Sequence, residues 1–226
     1  INEIKDLRKK EEAIRVVREG QKIINKFEDL PIPVVVAIHG ACLGGGCELS
    51  IACDYRICSD DKGTRIGLPE TKLGIFPGFG GCVRLPRIIG LQAALDIILA
   101  GKSVNGKKAK RLGLVDHCVP NAILEEKAFE VAQEAIAGGS KKRRKVFKPK
   151  GLGGIFLEGP IGRRIVFGQA RKMLLKQTGG HYPAPEKAID VIQRTYGVSD
   201  RGKALEIEAV GFSEVCVTEI SKNLIS

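Results

Sequence analysis

Residues 34–53 read VVVAIHGACLGGGCELSIAC, and they carry the clearest signal of the fold class. The run VVVAI at 34–38 is short, continuous and apolar, which is typical of a strand buried on both faces. Gly40 ends the run, and three further glycines precede the apolar segment CELSIAC, which has the length and character of a buried helix. The stretch therefore predicts a strand, a glycine loop and a helix, the unit from which alternating α/β folds are built.

The flanking segments extend this prediction. Residues 3–29 carry apolar side chains at helical spacing and predict one amphipathic surface helix. DYRICSDD at 54–61 and LVDHCV at 114–119 predict further strands, whereas residues 64–81 hold too much glycine and proline for a long regular element. We expect residues 64–81 to form a short strand and a loop that lies close to a ligand or to another part of the backbone.

The chain changes character near residue 140. Residues 1–140 predict an α/β core, while residues 159–226 predict helices over 160–178, 184–197 and 200–222 without a strand. Between them, residues 141–158 are interpreted as an exposed linker that begins with KKRRKVFKPK, a segment with seven basic side chains. The first residues already resemble the middle of a helix, so we expect the sequence to be a fragment that lacks its natural N-terminus.

Composition excludes several classes of protein. The 226 residues are 43% hydrophobic, enough for a substantial core, and no apolar run reaches the roughly 18 residues of a membrane helix. The net charge of +11 suggests an anionic partner, but the basic linker contains only Phe147 for base stacking, so we expect no nucleic acid. Seven scattered cysteines predict free thiols rather than a disulfide framework or a zinc site, and no metal is expected.

Other catalytic patterns fail on spacing. AGKS at 100–103 lacks the glycine that a phosphate-binding loop needs where Asp96 stands, and no GxGxxG follows a strand. His39, His117 and His181 lie in unrelated segments, so we interpret each as a structural or surface residue rather than a member of a triad.

The remaining chemistry lies in LGGGCE at 43–48 and GLPETKLG at 67–74. Glycines at a helix start let backbone N–H groups and the helix dipole act on an oxyanion, and Glu48 follows Gly45 by about one turn. Glu70 could fold back over the same pocket, and two carboxylates whose pKa values differ can deliver and remove protons. A structural alternative stays open from spacing alone: Glu48 caps its own helix by satisfying free N–H groups, and Glu70 is exposed.

Three segments resemble the signatures of the crotonase superfamily, specifically enoyl-CoA hydratases. They are AIHGACLGGGCELSIACDYRI at 37–57, GLPETKLGIFPGFGGCVRLPRIIG at 67–90 and AGKSVNGKKAKRLGLVDHCVP at 100–120. Residues 158–192 resemble the segment that joins the hydratase and dehydrogenase domains of multifunctional fatty-acid oxidation proteins. The resemblance implies a ββα superhelix without its first strands, followed by C-terminal helices that pack on the core or lead to a missing dehydrogenase domain.

The resemblance also implies roles for individual residues. The Gly45 N–H would polarise the thioester carbonyl of a 2-enoyl-CoA, Glu48 would act as the base on water and Glu70 would donate a proton to C2. Five further glycines are implied to contact the substrate: Gly44, Gly46, Gly78, Gly80 and Gly81. Of these, Gly78, Gly80 and Gly81 would form a wall for the acyl chain or pantetheine. Alternatives within the superfamily are an acyl-CoA isomerase and a thioesterase.

The resemblance sets further expectations for the whole protein. The fragment should need no cofactor, coenzyme A being part of the substrate, and NAD is expected only for the missing dehydrogenase domain. A thiolase β-subunit, an oligomeric state and a location in the bacterial cytoplasm or the mitochondrial matrix are implied as well. The family's second oxyanion donor lies in an AGAD-like motif just before residue 1, so we expect the fragment alone to be nearly inactive, because one such donor contributes about 3 to 4 kcal/mol.

Overall fold

The computed structural model describes residues 2–138, 146–149 and 151–225. In these ranges the chain forms helices α1 to α12, strands β1 to β6 and two short 3-10 helices. The helices of the first part are α1 (Asn2–Asp6), α2 (Lys10–Asp29), α3 (Gly45–Ala52), α4 (Gly81–Ile89), α5 (Leu91–Leu99), α6 (Gly106–Leu112) and α7 (Leu124–Ala137). The later helices are α8 (Gly151–Glu158), α9 (Pro160–Thr178), α10 (Pro183–Thr195), α11 (Arg201–Cys216) and α12 (Glu219–Ile225). The strands are β1 (Val35–Ile38), β2 (Ala41–Leu43), β3 (Tyr55–Ser59), β4 (Arg65–Gly67), β5 (Ser103–Asn105) and β6 (His117–Val119), and the 3-10 helices are Glu70–Leu73 and Asn121–Ile123.

The six strands form two small sheets. The first has the order β1-β3-β6 and is parallel throughout, while the second has the order β2-β4-β5, with β2 and β4 parallel and β4 and β5 antiparallel. Consecutive strands β1 and β2 thus belong to different sheets, and α3 leaves the end of β2. The predicted unit of strand, glycine loop and helix is confirmed, with a second short strand inserted after Gly40.

The C-terminal helices share the core of the α/β part. One cluster of buried apolar side chains includes Ile51 of α3, Ile66 of β4 and Leu85 of α4 together with Ile189 of α10 and Phe212 of α11. The absence of strands after residue 140 holds for the described residues, where the last strand is β6. The helical segment is therefore packed on the core that carries the glycine loop.

Two predictions about the remaining segments need correction. Residues 3–29 form two helices, because the chain turns after Asp6 and α2 begins only at Lys10. Residues 151–158, predicted as the second part of the linker, form helix α8, most of whose residues are exposed. The carboxylate of Glu158, its last residue, accepts from the Leu91 N–H at 3.2 Å and from the Tyr196 hydroxyl, so the end of α8 is bound to the start of α5 and to the residue that follows α10.

The basic linker is only partly described. Residues 141–145 and Lys150 lie outside the described residues, and Phe147 is tied to α4 through a hydrogen bond from its N–H to the Arg87 carbonyl at 2.8 Å. Within the described ranges, helices long and apolar enough to cross a bilayer do not occur.

Candidate active site

The glycine loop presents the first turn of α3 to the surface. Gly44 precedes the helix with φ 58° and ψ −129°, a backbone conformation that favours glycine, and its N–H is bound to the Gly67 carbonyl at 3.0 Å. Gly45 and Gly46 are exposed. The first N–H groups of a helix have no acceptor within it, so this turn directs donors and the positive end of the dipole outward.

Glu48 lies one turn further on but does not cap its own helix. Its side chain is only 2% exposed, and Oε1 accepts hydrogen bonds from the N–H groups of Phe79 at 2.7 Å and Gly81 at 2.8 Å. These donors belong to the start of α4, so the interpretation of Glu48 as an N-cap of α3 is wrong. The reason is geometric: α4 packs against α3 and brings its own unpaired N–H groups to the carboxylate.

Glu70 reaches the same site from the other side. It begins the 3-10 helix Glu70–Leu73 after Pro69, and its carboxyl lies against the glycine loop, since a Cβ at Gly44 would be 3.4 Å from Glu70 Oε1. Glu70 is half-buried, so the alternative of an exposed Glu70 is wrong. Among the residues that the structure describes, none hydrogen-bonds with its buried Oε2 atom.

The two carboxyl groups are in different electrostatic environments. Burial raises the pKa of Glu48 to about 7, while the N–H bonds from Gly81 and Phe79 oppose the rise by favouring the anion. Burial, followed by repulsion from Glu48, raises the pKa of Glu70 to about 8. Glu70 therefore holds a proton more readily than Glu48, which has donors around it.

A third carboxylate, not predicted from the sequence, lies beside this pair. Glu208 of α11 is fully buried, and it accepts from the N–H groups of Gly80 at 2.5 Å, Cys82 at 3.0 Å and Val83 at 3.2 Å. Gln21 of α2 adds a fourth donor, Nε2, at 3.2 Å. A signal for this contact was present in the sequence, because Gln21 occupies an apolar position of α2 in line with Ala13, Val17 and Ile24.

The glycines at 78–81 are packed against protein side chains. A Cβ at Gly78 would be 2.8 Å from Phe212 Cδ2, one at Gly80 would be 1.6 Å from Arg84 Nη1, and one at Gly81 would be 2.9 Å from Glu48 Oε1. Gly80 also has φ 105°, in the left-handed region. These contacts explain why glycine is needed at the three positions: side chains around α4 and α11 leave no room for a Cβ. A substrate wall formed by these glycines stays a prediction.

The three histidines lie outside the elements that carry Glu48, Glu70 and Glu208. His39 Nδ1 is 3.0 Å from Ser59 Oγ, His117 lies in β6, and His181 follows α9. Across the described ranges, no group of three or more His, Cys, Asp and Glu side chains could hold a metal ion, and all seven cysteines are free thiols.

The fold thus brings the buried Glu48 and the half-buried Glu70 next to the exposed first turn of α3, on two small sheets covered by helices. Such an arrangement of two carboxyl groups and N–H donors is of the kind that acid–base chemistry uses. The family model described as "Enoyl-CoA hydratase/isomerase" matches residues 2–149. The chain therefore belongs to the enoyl-CoA hydratase/isomerase family, and the resemblance in its motifs is confirmed.

Known proteins support the same assignment over most of the chain. The chain is 47% identical over 214 residues to a fatty acid oxidation complex subunit alpha of Vibrio cholerae, covering 94% of this chain and 29% of that protein. It is 48% identical over 215 residues to the protein of the same name from Shewanella amazonensis, covering 95% of this chain and 30% of that protein. The chain thus spans about three tenths of the length of the curated relatives it matches.

Solved structures agree on the fold. An enoyl-CoA hydratase from Bacillus anthracis is 31% identical, with a TM-score of 0.54 over 92% of this chain and 64% of that one. An enoyl-CoA hydratase from Mycobacterium avium subsp. paratuberculosis has a TM-score of 0.60 at 18% identity, over 91% of this chain and 66% of that one. The predicted α/β crotonase fold is confirmed.

Proposed function

We propose that this chain carries the site at which water is added to a 2-trans-enoyl-CoA to give a 3-hydroxyacyl-CoA, a step of fatty-acid β-oxidation. The observation that carries the proposal is the meeting of Glu48 and Glu70 beside the exposed first turn of α3. Acid–base addition to a conjugated thioester needs a base, an acid and a donor at the carbonyl oxygen, and these three groups supply all of them.

The electrostatics favour one assignment of roles. Glu48, with two backbone donors on Oε1, is the base that takes a proton from water while the oxygen bonds to C3 of the substrate. The π electrons move towards the thioester carbonyl, whose oxygen is stabilised by the Gly45 N–H at the start of α3. Glu70, whose Oε2 has no donor among the described residues and whose pKa is raised to about 8, gives its proton to C2.

The same pair suits a second reaction. Moving a double bond from the 3- to the 2-position requires a proton to leave C2 and another to reach C4, and a carboxylate beside the carbonyl donor can carry both transfers. The family description names hydratase and isomerase activities together, so a 3-enoyl-CoA is the substrate for testing this alternative.

Further assignments concern the larger protein. By likeness to fatty acid oxidation complex subunits, we propose an oligomeric assembly with a thiolase β-subunit, in the bacterial cytoplasm or the mitochondrial matrix. NAD is assigned to a dehydrogenase domain beyond this sequence. The 226 residues contain no GxGxxG turn for NAD, and no step of the hydration uses that cofactor.

The test is turnover by the intact protein, followed as loss of the absorbance of the conjugated enoyl thioester. Glu48→Gln and Glu70→Gln should each lower the rate by about 10²- to 10⁴-fold, while Glu206→Gln, on the exposed side of α11, should leave it unchanged. Wild-type rates in both site variants would refute the roles given to the two glutamates. Turnover of a 3-enoyl-CoA without any hydration would support the isomerase instead.

A further inference from the structure

We propose that Glu208 of α11 is a positioning residue for the acid pair: it fixes the loop that holds Glu48 and adds a fixed negative charge beside the site. This proposal rests on the function proposed above and extends it to a residue outside the family's recognised motifs. Glu208 is in the C-terminal helical segment, beyond residues 2–149 that the family model matches.

The loop at the start of α4 divides its N–H groups between two carboxylates. The N–H groups of Phe79 and Gly81 donate to Glu48, while those of Gly80, Cys82 and Val83 donate to Glu208. Successive peptide planes are rigid, so a displacement of the groups bound to Glu208 also displaces those bound to Glu48. The position of the Glu48 carboxylate thus depends on Glu208.

The pattern of donors also determines the charge of Glu208. Each of its oxygens accepts from two groups: Oε1 from Gly80 and Gln21, and Oε2 from Cys82 and Val83. All four partners are donors, so a proton on either oxygen would face an N–H instead of an acceptor. Burial, followed by repulsion from Glu48, raises the pKa of Glu208 to about 8, whereas Arg84 and the donors Gly80 and Gln21 favour the anion. Glu70 has no donor on its Oε2 atom among the described residues, so the four donors around Glu208 make it the group of the two that ionises more readily.

Gln21 of α2 binds both Glu208 and the loop before α4. Its Nε2 atom donates to the carbonyl groups of Gly78 and Leu205, both at 3.0 Å, as well as to Glu208. One buried amide therefore joins α2, the loop before α4 and α11, which explains a polar side chain on the apolar face of α2.

Several titratable groups face Glu208 from the neighbouring elements. They are Glu48 of α3, Glu70 of the 3-10 helix, and Cys82 and Arg84 of α4. The pKa of Glu70 is raised mainly by burial and by repulsion from Glu48, and repulsion from Glu208 adds a smaller rise in the same direction, so this charge helps the acid to keep a proton. Arg84 partly offsets that charge, yet it is itself bound to Glu28 at 2.7 Å and to the Phe79 carbonyl at 3.1 Å.

The experiment compares Glu208→Gln with Glu208→Asp and with the matched control Glu206→Gln in the intact protein. Glu206 is two residues away on the same helix, and its side chain is 45% exposed and pairs with Arg18, so its substitution should leave the loop unchanged. Glu208→Gln should lower kcat by about 10- to 100-fold with little change in KM, since misplacement of a reacting group by about 1 Å has an effect of this size.

The pH profile separates positioning from a structural role. Removal of the charge lowers the pKa of Glu70, so the apparent pKa values of the kcat profile should move to lower pH in Glu208→Gln. Glu208→Asp keeps the charge on a shorter side chain, so its profile should stay in place while kcat falls. The proposal is overturned if both Glu208 variants have wild-type kcat and unshifted pH profiles. If Glu208→Gln does not fold, wild-type kcat in Glu208→Asp is enough to overturn it.

A measurement without substrate separates this proposal from the proposed function. Amide hydrogen exchange of the peptide covering residues 79–83 should be faster in Glu208→Gln than in wild type and unchanged in Glu206→Gln. Unchanged exchange in Glu208→Gln would refute the loop restraint even in an active enzyme. Faster exchange in a protein without hydratase activity would uphold the restraint and refute the function.

Discussion

Substitution of Glu48 by glutamine should lower the turnover rate by about 10²- to 10⁴-fold and at the same time stabilise the fold at alkaline pH. Glutamine keeps an oxygen that can accept from the Phe79 and Gly81 N–H groups at the present 2.7 and 2.8 Å, so the loop should stay in place. What the substitution removes is a buried charge, and this charge destabilises the native state once the carboxyl ionises.

The size and sign of this effect follow from the pKa of Glu48, which burial raises from 4.5 to about 7. Below pH 4.5 the Glu48 carboxyl is protonated in both the native and the unfolded state, so its ionisation does not change the free energy of unfolding. Between the two values only the native state binds the proton, so the free energy of unfolding of the wild type falls as the pH rises. Above pH 7 the accumulated loss is about 3 kcal/mol, and Glu48→Gln avoids it.

Urea denaturation at pH 5 and pH 8 provides the measurement. We expect Glu48→Gln to be more stable than wild type by about 3 kcal/mol at pH 8 and by less than about 1 kcal/mol at pH 5, with a rate lower by about 10²- to 10⁴-fold. Glu19→Gln, at an exposed position of α2, should change neither quantity. A stability difference that is equal at the two pH values would refute the electrostatic reasoning.

Three further predictions follow from the same site. Glu70→Gln should lower the hydration rate by about 10²- to 10⁴-fold without loss of stability in urea denaturation, since its Oε2 atom has no donor to lose among the described residues. Gly80→Ala should lower the free energy of unfolding by about 4 to 6 kcal/mol, because φ 105° is unfavourable for alanine and the new Cβ would displace Arg84 from its ion pair with Glu28. The control is Gly168→Ala, at an exposed helix position where the new Cβ would have nothing within 4 Å. It should raise the free energy of unfolding by about 0.5 to 1 kcal/mol. Gly44→Ala should lower the hydration rate in kinetic assays, since φ 58° with ψ −129° is unfavourable for alanine and relief of this strain would shift the first turn of α3 beside Glu70; an unchanged rate would contradict this reasoning.

The sequence predicted the glycine unit well because local rules determine it. An apolar run, a glycine that breaks it and an apolar helix leave few alternatives, and β1 and α3 lie where the pattern places them. The boundaries of short elements were less accurate: LVDHCV forms a strand only over His117–Val119, since pairing with β3 ends there.

Only part of the site was predicted from the sequence, and the reason is physical. Glu48 and Glu70 stand next to glycine-rich turns, which leave a local signature, whereas Glu208 is 160 residues beyond Glu48 on a helix with no special motif around it. Its role depends on α11 packing against α2 and α4, a long-range contact that periodicity does not reveal. The buried Gln21 was the one local hint of that contact.

The division of the N–H groups of residues 79–83 between Glu48 and Glu208 determines where such a protein can be cut or recombined. A cut near residue 140, where composition changes, would remove Glu208 and expose the N–H groups of Gly80, Cys82 and Val83 that it accepts from. The change of composition near residue 140 therefore does not separate a part that contains the whole site from a part that does not affect it. Exchange of the helical half for that of another protein would preserve the site only if the new helix brings a carboxylate to this loop.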